Sequence, residues 1–373
     1  MPKTRERLRQ RAASAILATE SENISTRLVS NPLYKVSFIA QTNAIIPNLP
    51  QGQPESAAMM NKRDLAWSII GIGAVIFSCW LLFKEIRGIS LTEIADSLHA
   101  IPLTSWLLAF LATAGAYSAL AWYDRIALDH LGKQISWWFI TLCSFTTYAL
   151  AHNIGASVFS GALVRYRAYR SKGLTPAEVG VMILLCSFTF ALGTILAGGL
   201  VLLIKPELIQ RIADITPWLS VVIGLGLLTL VALYVYGAWR QMKPWRRGKL
   251  HIEYPRMRVV RRQLLVAPLE LVCAAAIIYF ALPEANNPGY LTILGIFLAS
   301  FSLALLSHAP GGLGVLEVTF IAALPEMHKA DVLAALIVFR GLYLLLPFAL
   351  ALLVVSAFEY RQWAGTKVEK PHP

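Results

Sequence analysis

Long apolar runs separated by short polar segments make up most of the chain after residue 63. A helix needs roughly 20 apolar residues to cross the hydrocarbon core of a bilayer. Six uninterrupted runs have about that length, so we predict a membrane span from each of them: 65–83, 102–123, 179–204, 217–239, 263–282 and 332–358. Two further runs, 135–164 and 289–325, are longer and carry glycines and polar residues in their middle.

The distribution of Lys and Arg predicts the side of each loop, because cytoplasmic loops carry an excess of these residues. Segment 240–262 holds nine Lys or Arg and one acid, and segment 165–178 holds four Lys or Arg. Both are therefore predicted to be cytoplasmic, whereas 283–288 has no basic residue and is predicted to lie outside. These sides agree only if 135–164 and 289–325 each enter the membrane, turn, and leave on the side where they entered.

The turns of the two interrupted runs also resemble each other in sequence: LAHNIGAS at 150–157 and LSHAPGGLG at 306–314. Proline removes a backbone donor and glycine weakens a helix, which is costly where no water satisfies the freed groups. Glycine-interrupted segments at corresponding places of two inverted halves are typical of a transporter's midplane site. Glycine also permits close helix packing, and two short full crossings would give the same sides, so both alternatives stay open.

We therefore predict an all-α polytopic membrane protein. It has about six full transmembrane helices and two broken, re-entrant helical hairpins that form an inverted repeat. The residues expected at the helix breaks, where they would act as a gate, are Gly155, Gly161, Pro310, Gly311, Gly312 and Gly314.

Composition supports a membrane protein and argues against several other classes. The chain is 57% hydrophobic and 14% charged, whereas soluble domains carry nearer a quarter charged residues. Its net charge of +12 comes mainly from the N-terminal segment and from loops beside apolar runs, so no nucleic-acid partner is expected. The four cysteines stand singly, which predicts neither a disulfide framework nor a metal site. Common nucleotide-binding, metalloprotease and serine-hydrolase motifs are missing from the sequence, so we expect neither a cofactor nor enzymatic activity.

Three segments differ in composition. Residues 1–63 are basic and polar and are predicted to be a flexible cytoplasmic tail. Residues 64–360 form the predicted membrane domain, and 361–373 a short cytoplasmic tail. The sequence leaves open whether residues 1–58 are translated.

Two charged residues in the last two apolar runs, Glu317 and Arg340, are expected to lie close together. A charge at bilayer depth costs about 2.5–3.5 kcal/mol on insertion scales and is normally paired or faces a polar cavity. The pair would either lock the C-terminal hairpin to the last span, or Arg340 would hold a lipid phosphate with Glu317 as its resting partner. Glu270 is expected to be a helix-packing or near-surface carboxylate rather than a site residue.

The segment RYRAYR, which begins at Arg165, follows the first interrupted run. It would either anchor the chain at the interface or capture an anionic headgroup, because a guanidinium binds phosphate bidentately. His152 and His308 are expected to donate hydrogen bonds to carbonyls, with proton coupling as the alternative. A metal site is not expected there, because further ligands are missing. All residues expected to contact lipid are Arg165, Tyr166, Arg167, Tyr169, Arg170, His152, Asn153, His308, Glu317 and Arg340.

Three motifs, GALVRYRAYRSKGLT, SHAPGGLGVLEVTFIAAL and AALIVFRGLYLLLP, occur in this order in the sequence. Together they resemble the lysylphosphatidylglycerol synthase transmembrane family, and in particular its stand-alone, YbhN-like inner-membrane members. The resemblance covers roughly 65–360 and implies a flippase-like fold in a bacterial cytoplasmic membrane. Fused members of this family carry a large aminoacyl-transferase domain after the membrane part. This chain stops at Pro373, so we do not expect it to synthesise the lipid.

The resemblance implies that the protein moves an anionic phospholipid between leaflets: phosphatidylglycerol, its aminoacylated form, or a cardiolipin-like lipid. Two other functions stay open, namely a scaffold that binds lipid without moving it and an ion-coupled carrier of a small anion. Membrane phospholipids are the expected partners, and a lipid-synthesising enzyme or a second copy of the chain is compatible with the sequence. Both termini are expected in the cytoplasm.

Overall fold

The fold is described from a computed structural model. It covers residues 90–154, 157–212, 216–241, 245–247, 250–252, 255–307 and 312–368. Several predicted features lie outside these described residues: the tail at 1–63, the span at 65–83, Gly155, His308, Pro310 and Gly311.

The described residues form twelve α-helices, one π-helical segment and one two-stranded antiparallel hairpin. In chain order they are α1 (Leu91–Ala100), α2 (Leu103–His130), α3 (Trp137–Ile154), α4 (Ser157–Arg170), α5 (Pro176–Ile204), α6 (Leu208–Ile212), α7 (Pro217–Trp239), β1 (Trp245–Arg247), β2 (Leu250–Ile252), α8 (Met257–Ala281), α9 (Tyr290–Ser307), α10 (Val315–Ala323), α11 (Lys329–Phe339), the π segment (Arg340–Leu345) and α12 (Leu346–Val368).

Local sequence signals explain where several helices begin. Thr175 precedes α5, and its hydroxyl accepts a hydrogen bond from the Glu178 N–H while the Glu178 carboxylate accepts one from the Thr175 N–H. This capping box satisfies two of the backbone donors that a helix start leaves unpaired. Pro176 then occupies the first helical position, where its missing N–H costs nothing.

Five helices are long and apolar enough to cross a membrane: α2, α5, α7, α8, and the continuous helix Lys329–Ala357 that α11, the π segment and α12 build together. They correspond to five of the six predicted spans. The all-helical, polytopic fold class is therefore confirmed in the part of the chain that the structure describes.

Both interrupted runs break where the sequence predicts. α3 ends at Ile154 and α4 begins at Ser157, and the two helices pack against each other. α9 ends at Ser307 and α10 begins at Val315, and these helices are also in contact. The sides on which the hairpins enter and leave the membrane stay a prediction.

The last apolar run, predicted as an ordinary span, contains the π segment. Pro347 lies just after it and has no N–H to donate to the Tyr343 carbonyl. That carbonyl accepts a hydrogen bond from the Tyr117 hydroxyl at 3.0 Å, and the next carbonyl, of Leu344, accepts one from the Asn153 amide at 3.1 Å. The irregular turn thus offers its carbonyls to side chains of α2 and α3. Such π-helical turns occur frequently at functional sites.

Helix α8 lies at the centre of the bundle, where it packs against both α2 and α5. The Tyr123 hydroxyl of α2 donates to the Ala267 carbonyl of α8 at 2.6 Å. Gly193 of α5 approaches the same backbone so closely that a Cβ atom there would lie 2.2 Å from the Ala267 carbonyl oxygen. The glycine therefore permits a backbone contact that no other residue would allow.

Candidate functional site

The second helix break brings together an arginine and a glutamate from different helices. The Arg340 Nε donates to Glu317 Oε1 at 2.7 Å, and the Arg340 Nη2 lies 2.6 Å from the same oxygen. The side chains are 16% and 10% exposed, so this charge pair is partly open to its surroundings. The predicted proximity of Arg340 and Glu317 is confirmed.

The carboxylate of this pair also caps a helix. Glu317 lies in the first turn of α10, and its Oε2 accepts a hydrogen bond from the Gly314 N–H at 2.9 Å. The positive end of the helix dipole stabilises a carboxylate at this position. Arg340 Nη2 additionally approaches the Gly312 carbonyl at 3.4 Å. The Glu317 carboxylate thus has a second hydrogen-bond partner, the Gly314 N–H, besides Arg340.

Two of the predicted break glycines adopt the left-handed conformation. Gly312 has φ +65° and Gly314 has φ +80°, a region that other residues rarely adopt. A Cβ on Gly312 would also lie 2.6 Å from the Leu316 side chain. The tight turn before α10 therefore depends on glycine.

The helix break expected at Gly161 is not there, and this is a correction. Gly161 lies inside α4, where a Cβ would come within 3.2 Å of the Thr147 methyl group of α3. It lets the two helices of the first hairpin approach closely, which is the packing role that glycine commonly has in membrane helices.

A second buried charge pair, which sequence analysis missed, joins α2 to α4. The Arg165 Nη2 lies 2.6 Å from Asp124 Oδ1, and the Tyr169 hydroxyl donates to Asp124 Oδ2 at 3.0 Å. The Arg165 guanidinium also stacks over the Tyr148 ring, 4.7 Å from its centroid. Asp124 is 0% exposed and Arg165 is 5% exposed, so both are interior groups.

These contacts correct the expectation for RYRAYR. Arg165 and Tyr169 face the protein interior, where both bind Asp124, so neither side chain is exposed to a headgroup in this conformation. Arg167 and Arg170 are on the exposed side of α4, and the Arg170 Nη1 donates to the Tyr166 hydroxyl at 2.6 Å. One segment thus has an interior ion-pair face and an exposed basic face.

Asp124 has a sequence signal that could have identified it. It directly follows the apolar run 102–123, where the predicted span ends. Because α2 continues to His130, the carboxylate lies within the helix instead. A search for an acid at the end of the run paired with a basic residue in the next hairpin would have found it.

The first helix break contacts the π segment through His152 and Asn153. The His152 ring stacks on Tyr343 with 5.3 Å between centroids, and its Nδ1 has no hydrogen-bond partner among the described residues. The Asn153 amide donates to the Ala149 and Leu344 carbonyls. The hydrogen bond to a carbonyl that was expected of His152 is not found among the described residues, where the neighbouring Asn153 makes two such bonds instead.

The π segment accordingly contacts both breaks. Arg340, its first residue, binds Glu317 of the C-terminal break, while Tyr343 and Leu344 contact the N-terminal hairpin. A rearrangement of this segment would therefore act on both hairpins at once.

Glu270 of α8 lies deeper than the sequence suggested. It is 2% exposed, and the Tyr343 hydroxyl donates to its Oε1. Its Oε2 has no hydrogen-bond partner among the described residues. The helix-packing expectation holds for its contact with the π segment, and the near-surface alternative is wrong.

Another arginine–glutamate pair lies outside the apolar helices. Arg211 Nη1 lies 2.5 Å from Glu326 Oε1 and donates to the Ala323 carbonyl at 3.3 Å. Partial burial is the largest single influence and opposes ionisation of Glu326. The hydrogen bond from Arg211, a backbone hydrogen bond and the charge of Arg211 together outweigh it and lower the pKa of Glu326 below its ordinary value. The pair is about one-third exposed, which makes it a useful comparison for Arg340 and Glu317.

No cluster of three or more His, Cys, Asp or Glu residues with metal-binding geometry occurs in the described ranges. Cys143 and Cys186 are single and buried, and the Cys186 thiol lies 3.5 Å from Asp124 Oδ1.

Several known proteins are similar to this chain in sequence. The chain is 26% identical to the Uncharacterized protein slr0712 of Synechocystis sp., over 84% of this chain and 98% of that protein. It is 28% identical to the Inner membrane protein YbhN of Escherichia coli, over 65% of this chain and 77% of that protein. It is 24% identical to the Phosphatidylglycerol lysyltransferase of Staphylococcus aureus (strain COL), over 79% of this chain but only 34% of that protein's length.

Residues 68–351 match the family described as the lysylphosphatidylglycerol synthase TM region. This match contains both broken helices, the π segment and all five membrane-crossing helices, apart from the last few residues of the C-terminal one. The chain is therefore a membrane protein that belongs to the lysylphosphatidylglycerol synthase TM region family.

Proposed function

We propose that this protein binds an anionic phospholipid and moves it between the leaflets of a bacterial cytoplasmic membrane. The observation that carries the proposal is the Arg340–Glu317 pair, which is partly exposed beside a broken helix in the apolar region. Enclosing both charges of an ion pair completely would cost desolvation energy. In this pair the Arg340 side chain keeps 16% of its surface exposed, and the proposal takes this as the route by which a ligand reaches the guanidinium.

In this proposal a lipid phosphate replaces Glu317 as the partner of Arg340. The planar guanidinium can hold two phosphate oxygens by parallel hydrogen bonds. Removing one partner of a buried pair costs about 3–5 kcal/mol. The phosphate therefore has to bind Arg340 as the carboxylate leaves, so that the guanidinium is never without a partner. Glu317 keeps the Gly314 N–H throughout and is not left without a hydrogen bond.

The exposed basic face of α4 would supply the first contact. Arg167 and Arg170 are exposed there, and basic side chains near a membrane surface attract anionic headgroups by about 1 kcal/mol each. The Asp124–Arg165 pair, fully interior, would hold α4 to α2 while the lipid moves.

The names of the relatives support the choice of cargo. One of them is a phosphatidylglycerol lysyltransferase, and the aligned part is 34% of its length. We infer from this name that phosphatidylglycerol, its aminoacylated form or a cardiolipin-like lipid is the cargo. The proposal assigns lipid movement to this chain and no aminoacyl transfer. It also keeps both termini in the cytoplasm, as the distribution of basic residues predicts.

The test is lipid movement in vesicles that contain the purified protein and phosphatidylglycerol labelled on its headgroup. A membrane-impermeant quencher then reports how fast the label changes leaflet. We expect the wild type to accelerate this movement, and a labelled zwitterionic lipid to move more slowly. Binding without movement would favour a scaffold, and uptake of a small anion without lipid movement would favour an ion-coupled carrier. Either result would overturn the proposal.

A matched pair of double variants isolates the role of Arg340. Glu317→Gln/Arg340→Gln removes both charges, so that folding is largely retained. Glu326→Gln/Arg211→Gln makes the same change in the pair outside the apolar helices. A charge-assisted hydrogen bond contributes about 1.5–3 kcal/mol, so the first variant should lose about tenfold or more of the transport rate. The second should keep it, and equal rates in both would refute the site.

A further inference from the structure

Glu270 is an acid inside the helical bundle, and no cation lies beside it among the described residues. Its side chain belongs to α8, the central helix, and is 2% exposed. Only the Tyr343 hydroxyl donates to it in the described structure, and its Oε2 has no partner. By contrast, the two other interior carboxylates of this site, Asp124 and Glu317, each have an arginine.

The titratable groups around Glu270 are all neutral hydroxyls and thiols. Tyr117 and Tyr123 face it from α2, Tyr343 faces it from the π segment, and Cys273 lies on its own helix. On the far side of the Tyr343 ring, α3 contributes His152. Lysine and arginine are missing from this set of described neighbours. The site therefore lacks the charge that an ionised carboxylate would need.

Burial of an ionised carboxylate without a partner costs many kcal/mol, and the group usually takes up a proton instead. Oε2 is the atom that would carry this proton. Tyr343 is itself 1% exposed and covers the other oxygen, so a lipid headgroup has no direct access to Glu270 in this conformation. A proton is far smaller than a headgroup, and the Tyr343 hydroxyl that donates to Glu270 is a group that can pass a proton on.

We propose that Glu270 is a proton-binding site and that the proton it exchanges drives or gates the lipid movement proposed above. The second half of this proposal rests on the proposed function. Tyr343 binds Glu270, and three residues earlier in the same π segment Arg340 binds Glu317. Loss of the proton places a negative charge against the Tyr343 hydroxyl. The energy of the π segment then changes, and with it the position of Arg340.

Proton occupancy can be measured without any transport. Infrared spectra of the protein in lipid nanodiscs at neutral pH should contain the carbonyl band of a protonated carboxyl group. Glu270→Gln should remove this band, and it should fold normally because it resembles the neutral acid in shape. Tyr343→Phe keeps the carboxyl group and should keep the band. Glu207→Gln, at a carboxylate that is 56% exposed, should leave the spectrum unchanged.

If the infrared spectra of the wild type and Glu270→Gln are the same in the carbonyl region at neutral pH, Glu270 is ionised at that pH and the inference is overturned. A band that Glu207→Gln removes, and Glu270→Gln retains, would overturn it equally. Neither outcome depends on whether the protein moves lipid.

Coupling is measured in the lipid-movement vesicles with a pH gradient across the membrane. The gradient should change the wild-type rate of lipid movement in one direction. Glu270→Gln should still move lipid but respond to the gradient at least tenfold less. A variant that responds as strongly as the wild type would overturn the coupling. If the wild type moves no lipid while the infrared band is present, the proposed function fails and the proton site stands.

Discussion

Replacing Asp124 by asparagine should destabilise the fold more than any exposed charge change. Asp124 is 0% exposed and the Arg165 side chain 6% exposed, so the substitution leaves a guanidinium in the interior with no counter-charge. Removing one member of a buried pair costs about 3–5 kcal/mol. The Tyr169 hydroxyl also loses its charged acceptor. We expect Asp124→Asn to lower the free energy of unfolding by an amount in this range.

The assay is unfolding of the detergent-solubilised protein in a denaturant titration, followed by circular dichroism. The control is Lys205→Gln, because Lys205 lies 3.6 Å from Glu207 in a pair that is 42% and 56% exposed. Exposed ion pairs contribute about 0–1 kcal/mol to stability, so the control substitution should change the free energy of unfolding only a little.

A double variant then tests whether the loss comes from an unpaired charge. Asp124→Asn/Arg165→Met leaves no charge at the site. It should lower the free energy of unfolding by clearly less than the sum of the two single changes. The reasoning is refuted if Asp124→Asn lowers the free energy of unfolding no more than Lys205→Gln does. It is also refuted if the loss in the double variant equals the sum of the losses in the two single variants.

Two further predictions concern packing and pH. Gly193→Ala would place a methyl group against the Ala267 backbone and should cost about 1–3 kcal/mol or more, measured by the same titration. Gly198→Ala, with only one side-chain atom 3.9 Å away, should be nearly neutral, and an equal loss in both would contradict the packing argument. Because the pKa of Glu326 is lowered in the folded protein, its pair with Arg211 should stabilise at neutral pH and lose this effect as the pH falls through that lowered pKa. The melting temperatures of the wild type and Glu326→Gln should therefore differ at pH 7 and converge in acid, and a constant difference would argue against the pair.

Hydropathy was sufficient to predict the helices that cross the membrane. The run 217–239 corresponds to helix α7, Pro217–Trp239, because proline at its start and arginine after its end both mark boundaries in the sequence. The helix breaks were also predictable. Glycines stand inside runs too long for one crossing, and they weaken a helix where lipid cannot satisfy the freed backbone N–H and C=O groups.

The π segment and the interior arginine were harder to predict. A run of apolar residues has the same composition whether its helix is regular or contains a π turn, and Pro347 was the only local signal. The positive-inside rule counts Arg165 as a loop charge but does not say which way its side chain points. The position of Arg165 depends on Asp124, 41 residues earlier, and that contact forms only when α2 and α4 pack together.

The exchange of Arg340 between Glu317 and a lipid phosphate is tested most directly by comparing two lysine variants. Lysine keeps the positive charge but lacks the planar fork for two parallel hydrogen bonds. The rate of labelled phosphatidylglycerol movement, divided by the amount of folded protein, is measured for Arg340→Lys and Arg165→Lys. Arg340→Lys should lower this rate of lipid movement about tenfold or more, because one charge-assisted hydrogen bond to phosphate contributes about 1.5–3 kcal/mol. Arg165→Lys should stay near the wild-type rate per folded molecule, because Arg165 binds Asp124 and not lipid. Wild-type movement by Arg340→Lys, or an equal loss in both variants, would contradict the account.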